Sequence, residues 1–358
     1  MDAVAARTRQ DPPARRLPLL FLGFLCLVAG VSGGLARAGF REAGVLPAAV
    51  ALHGVVMVSA FFGTVISLER AVALGRIWGY AAPLACGLGG IALIAGAITA
   101  GFWLLAFGAA VLVAASVVFA RRAPSLEAIV LAAGAACALT GNLLVALGAI
   151  PVAVTGWWIA FFALTIGAER LELSRYMPRP RAAHWAFAAI AVSLVASALG
   201  PLALTGFALL ALAGWLLAYD IARKTIHGSG LPRYIAVCLL AGYAWLALGG
   251  ALLAQHAAPD AALHAFFVGF VFSMVFGHAP VIVPAVLRKA LPYTPWLYLP
   301  LALLHLSLAL RVAGGLAGAD GLRSAGSAGN ALAIALFLAT AATQVLRFSA
   351  PRTAQAAS

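Results

Sequence analysis

Ala51-Leu52-His53-Gly54-Val55-Val56-Met57-Val58-Ser59-Ala60-Phe61-Phe62-Gly63-Thr64-Val65-Ile66-Ser67-Leu68 is an apolar run with a single ionisable side chain, His53, and it stops at Glu69-Arg70. About 20 such residues, rising 1.5 Å each as a helix, cross a hydrocarbon core of about 30 Å. The rest of the chain reads the same way. Of its 358 residues, 64% are hydrophobic and 9% charged, and the mean hydropathy is +1.05. A soluble domain carries about 25% charged residues, so this composition excludes a soluble enzyme, a secreted disulfide-stapled domain and a disordered chain. The short alternating segments of an outer-membrane barrel are absent as well.

Spans are expected at about 17–36, 45–68, 78–98, 100–120, 127–148 and 151–169, then at 183–199, 201–221, 233–254, 260–286, 293–315 and 326–346. The fold class is therefore all-α: a polytopic bundle of twelve helices over residues 17–348, with short tails at 1–16 and 349–358. No cleavage site of small residues follows the first apolar run, which is read as a retained span.

With both termini in the cytoplasm, the 23 Lys and Arg fall inside except for Arg37, Arg41, Arg311 and Arg323. That asymmetry is the positive-inside signature of a multi-pass protein of a bacterial-type inner membrane. It also accounts for the net charge of +13 without nucleic acid as a partner; the expected partner is the lipid bilayer. Cys26, Cys86, Cys137 and Cys238 stand singly in apolar runs, without metal-ligand spacing, and read as small core residues.

Span six ends Phe161-Phe162-Ala163-Leu164-Thr165-Ile166-Gly167-Ala168-Glu169-Arg170, and repeats Phe-Phe, Ile and Glu-Arg in register with Phe61–Arg70. The two segments lie four helices apart and run in the same direction. The pattern suits three repeats of four helices, with spans two, six and ten equivalent. Glu69-Arg70 and Glu169-Arg170 are sequence neighbours that cannot face each other on a helix, so each Glu is expected to pair with another helix or a loop, as a structural anchor.

An ionisable residue inside a span is costly and marks a functional site by default. His53 in span two, His264 in span ten and His305 in span eleven qualify, and their depths put all three in the outer half of the bundle. His184, His227 and His256 fall at helix edges. A facing pair of neutral imidazoles suits the axial positions of a haem, with Gly54, Gly63 and Gly269 giving a flat ring room. His305 then adds a further donor or an alternative ligand. Met57, one turn from His53, offers a soft copper site as the alternative, with Met274 the other methionine within a span. His278, four turns along from His264, is a weaker metal candidate and reads better as a helix-end residue. Pro280 and Pro284 are expected to break or bend the inner end of span ten, as in transporters of small solutes.

Twelve spans, Leu52-His53-Gly54-Val55-Val56-Met57 on the second and a histidine early on the tenth resemble the catalytic subunit of haem–copper oxidases and the shorter NnrS-like membrane proteins. The resemblance implies three four-helix arcs and a low-spin haem b held by His53 and His264. It departs where copper would sit. Span six carries Trp157-Trp158 and no histidine, span seven has no His-His pair, and the residue two after His264 is Phe266. The expectation is thus a haem-binding membrane protein for electron transfer, gas sensing or nitric oxide tolerance, without the usual binuclear reduction centre. A small-solute transporter and a copper-handling protein are the alternatives.

Overall fold

The computed structural model describes residues 16–44, 46–175 and 177–349; the expected tails fall outside these apart from one residue at each inner end. Among the described residues the structure is helical throughout. Eleven helices among the described residues are long and apolar enough to span a membrane: α1 (Leu17–Arg37), α2 (His53–Leu74), α3 (Ile77–Ile94), α4 (Ile98–Arg122), α5 (Leu126–Ala146) and α6 (Pro151–Leu173), then α8 (Leu202–Tyr219), α9 (Gly230–Ala254), α10 (Pro259–Leu287), α11 (Pro295–Ala317) and α12 (Asp320–Phe348). Between α6 and α8 lies α7 (Arg181–Ser197), a shorter apolar helix at the place expected for span seven. The protein is a polytopic helical membrane protein. Its outward faces carry exposed Phe107, Val192, Leu199 and Leu306, which in a bilayer meet lipid.

Local sequence explains where helices start and stop. Ser125 caps α5 by accepting the Ala128 N–H. Gly75 (φ +65°) and Gly318 (φ +64°) end α2 and α11 in the left-handed conformation that a glycine adopts without steric cost. Pro280 and Pro284 do not break α10: the helix runs uninterrupted through both, from Ser273 to Leu287. Each proline removes one backbone donor, and the surrounding turns hold the helix over that loss.

The irregularity lies elsewhere. In α2 the turn pattern widens to a π-helix over Val56–Phe62, and in α10 over Ala265–Phe272. The first segment begins three residues after His53, the second immediately after His264. π-helical turns inside α-helices concentrate at functional sites.

The most enclosed helices are α2, α6 and α10, with 67%, 78% and 56% of their apolar windows buried, against 17% for α12. They meet through phenylalanine. Phe62 packs edge-on against Phe162 (5.1 Å between ring centres), Phe162 against Phe267 (5.6 Å) and Phe62 against Phe272 (5.2 Å). Edge-to-face contacts at these distances add to the burial itself. The aromatic centre of the bundle is therefore built from α2, α6 and α10, the first two of which carry the Phe-Phe…Glu-Arg pattern.

At the end where these helices finish, Arg70 pairs with Glu169 at 3.0 Å, so Glu169 does reach across to another helix. Arg170 makes two bonds to the fully buried Asp220, at 2.7 and 3.1 Å. These pairs tie α2 to α6, and α6 to the end of α8.

Candidate functional site: two imidazoles over a cavity

At the opposite end, where α2, α6 and α10 begin, the structure has a cavity of about 680 Å³. Ligand sites typically measure about 300–1,000 Å³. Its walls come from α1, α2, α6, α10, α11 and α12, and Phe62, Phe267 and Phe272 of the aromatic centre line it below. His53 and His264 line it together.

The two rings are nearly parallel, with centres 6.5 Å apart and an interplanar angle of 7°. Each is oriented by one backbone carbonyl. His53 Nδ1–H donates to Gly30 O at 2.6 Å, and His264 Nδ1–H donates to Asp260 O at 2.7 Å. A carbonyl can only accept, so in both neutral rings Nδ1 carries the hydrogen and Nε2 keeps its lone pair. Helix α1 can carry the first of these contacts because it is small there. A Cβ at Gly34 would stand 2.7 Å from His53 Cε1, and one at Gly30 would collide with the Met57 thioether.

Behind His264 stands an ion pair. Arg311 on α11 is 3.1 Å from the Asp260 carboxylate and also donates to Ser327 on α12. Arg37 and Arg323 line the same cavity, as does Asn330. Arg311 Nε and Asn330 Oδ1 are buried without a hydrogen-bond partner. On the α6 side Trp158 lines the wall, its Nε1–H donating to Asn142 Oδ1 at 3.0 Å. Asn142 Oδ1 also accepts from Ser59 (2.7 Å), within the π-helical part of α2. One buried amide thus fixes Trp158 and the turn below His53 together.

The other residues singled out from sequence lie apart from this pair. His305 does not line the cavity. Its Nδ1 accepts from Trp245 Nε1–H of α9 at 2.9 Å, so its hydrogen is on Nε2, the reverse of the cavity histidines. That Nε2 is buried without a partner. Depth along a helix put His305 in the right layer, but its direction around the helix axis takes it to α9.

His278 lies within α10, on the side of the ionic layer. Its Nδ1–H donates to Met274 O (2.7 Å) and its Nε2 accepts from Arg170 (3.3 Å). With both nitrogens engaged it has no free lone pair for a metal, and because α10 runs on to Leu287 it links that helix to Arg170 instead of ending it. Met57 lines the cavity, whereas Met274 packs towards Gly242 of α9. Of the three glycines read as making room for a ring, Gly54 lines the cavity and faces open space. Gly63 and Gly269 are instead packed against Cys86 and Trp245. The four cysteines are buried and free. Among the described residues no group of three or more His, Cys, Asp or Glu is placed to hold a metal ion.

Residues 16–346 match the family described as Domain of unknown function (DUF8744). The chain belongs to this family. No curated protein and no solved structure matches the chain. The DUF8744 match takes in α1 to α11 and α12 as far as residue 346, so the paired histidines, the cavity and the ionic layer at the other end lie within one family unit.

Proposed function

We propose that this DUF8744 protein is a haem-binding membrane protein whose His53 and His264 are the two axial ligands of a b-type haem. One observation carries the reading: the near-parallel imidazoles, 6.5 Å apart, with both Nδ1 hydrogens committed to backbone carbonyls. Two rings sharing one metal between facing Nε2 atoms would have centres about 6 Å apart, from a metal–imidazole bond of about 2 Å and about 1 Å from each nitrogen to its ring centre. Carbonyl-bonded Nδ1 is also the arrangement that orients a ligating histidine and selects Nε2 as the donor.

The cavity suits the rest of such a group. Its floor and sides offer Phe62, Phe267, Phe272 and Val268 to an apolar macrocycle. Its rim offers Arg37, Arg311 and Arg323 to carboxylates. The unpartnered Arg311 Nε and Asn330 Oδ1 are polar atoms that a bound ligand would satisfy. Bound haem supplies a one-electron couple. The protein's part is to hold both rings, keep water from the apolar floor and fix the charges near His264. With His53 and His264 both as its ligands a haem would have no free position for a gas, so electron transfer is the chemistry it would supply here.

The same asymmetry of basic residues that assigns both termini to the cytoplasm puts the cavity towards the outer face of an inner membrane. The test is the absorption spectrum and pyridine haemochrome of protein purified from a haem-replete host. The expected result is a low-spin b-type spectrum that His53→Ala and His264→Ala each abolish, and that His227→Ala leaves intact. Folded wild-type protein without haem would overturn the reading.

A further inference from the structure

Two opposite charges stand at the same distance from one ring nitrogen of His264. The Asp260 carboxylate is 3.4 Å from Nδ1, and the Arg311 guanidinium is also 3.4 Å from it. The Nδ1 hydrogen nevertheless goes to the neutral carbonyl of Asp260, at 2.7 Å. The carboxylate is occupied by Arg311, at 3.1 and 3.4 Å to its two oxygens. Arg311 is held in turn by Ser327 and is only 8% exposed, whereas the Asp260 side chain is half-exposed at the rim.

The choice of acceptor has consequences for a ligating ring. An imidazole whose N–H bonds to a neutral carbonyl donates as a neutral ligand. One whose N–H bonds to a free carboxylate becomes more basic and favours the more highly charged metal. A cation nearby favours the less highly charged one.

We propose that Asp260 and Arg311 are positioning residues that set the reduction potential of the site through His264, with Arg311 keeping the carboxylate off the Nδ1 hydrogen. The inference rests on the haem reading above. Arg37 and Arg323, the other charged groups lining the cavity, stay in place in every variant below and contribute a constant background.

The experiment is a potentiometric titration of the haem absorbance of the purified full-length protein. Arg311→Gln removes the cation and frees the carboxylate, so both effects act together. It is expected to favour the oxidised form at least tenfold, about 59 mV for a one-electron couple. Asp260→Asn leaves the cation unbalanced and is expected to move the equilibrium in the opposite direction. The double variant is expected to return to within about threefold of the wild type, and Arg311→Lys to stay near it.

Loss of packing alone would not give single variants of opposite sign that cancel in combination. Where Arg311→Gln fails to fold, Asp260→Asn and the double variant still carry the test. Single variants that shift in the same direction, or an unmoved Asp260→Asn in haem-loaded protein, overturn this inference and leave the haem reading standing. A wild type that binds no haem overturns both.

Discussion

At the residue scale, the four histidines of the spans differ in which nitrogen the protein occupies. His53 and His264 give Nδ1–H to carbonyls and present Nε2, His278 has both nitrogens engaged, and His305 holds its hydrogen on Nε2. These patterns predict different outcomes for the same substitution. His278→Ala is expected to retain the haem spectrum but to lower thermal stability, since it removes an acceptor of Arg170. Arg170 itself is the more sensitive position. It is one half of a buried pair with Asp220, and breaking such a pair by removing one partner costs about 3–5 kcal/mol. Arg170→Gln is expected to lose most of its folded yield in detergent, and Arg170→Gln with Asp220→Asn to recover part of it. A fluorescence-detected melting curve for each variant checks the order; a double variant less stable than the single would contradict it.

At the scale of the element, the two π-helical segments are what set the histidine helices apart from their neighbours. A π-turn takes in an extra residue, and adding or removing one residue rotates everything on one side by about 100° relative to the other. Deleting Val268 from Ala265–Phe272 is therefore expected to return that stretch of α10 to a regular helix. His264 would then turn away from His53 while Ser273–Leu287 keeps its packing. The expected readout is protein that still purifies as a single species by size exclusion but carries no low-spin haem. A deletion that leaves the haem content unchanged would show that the π-turn has no part in aiming His264. The prolines of α10 act differently. Since the helix continues through both, Pro284→Ala is expected to leave the spectrum unaltered.

On the scale of the whole molecule, the bundle separates an ionic layer at one end from the histidine-lined cavity at the other, with a phenylalanine centre between them. Its three most enclosed helices, α2, α6 and α10, run through all three of these levels. In the orientation we propose from the basic residues, the ionic layer faces the cytoplasm and the cavity faces outward. A C-terminal reporter active only outside the cytoplasm is expected to be silent, while one inserted after Gly39, between α1 and α2, is expected to be active. The reverse pattern would invert the topology and move the cavity to the inner face.

Much of this was legible in the sequence because a bilayer constrains a chain so strongly. Backbone groups must be satisfied within each span, so long apolar runs become helices wherever they occur, and the number and order of the spans follow from hydropathy. The cost of an ionisable group in hydrocarbon likewise singled out His53 and His264. What hydropathy leaves open is rotation about each helix axis, because a helix that is apolar all round has no face to declare. Packing decided that. It turned His305 to Trp245 of α9 and His278 to Arg170. It brought Arg311 and Asp260, which drew no attention as a pair in the sequence, together behind His264. Gly30 and Gly34 of α1 accepted His53 for the same reason: a contact between distant helices depends on the shapes of both, and neither segment encodes it alone.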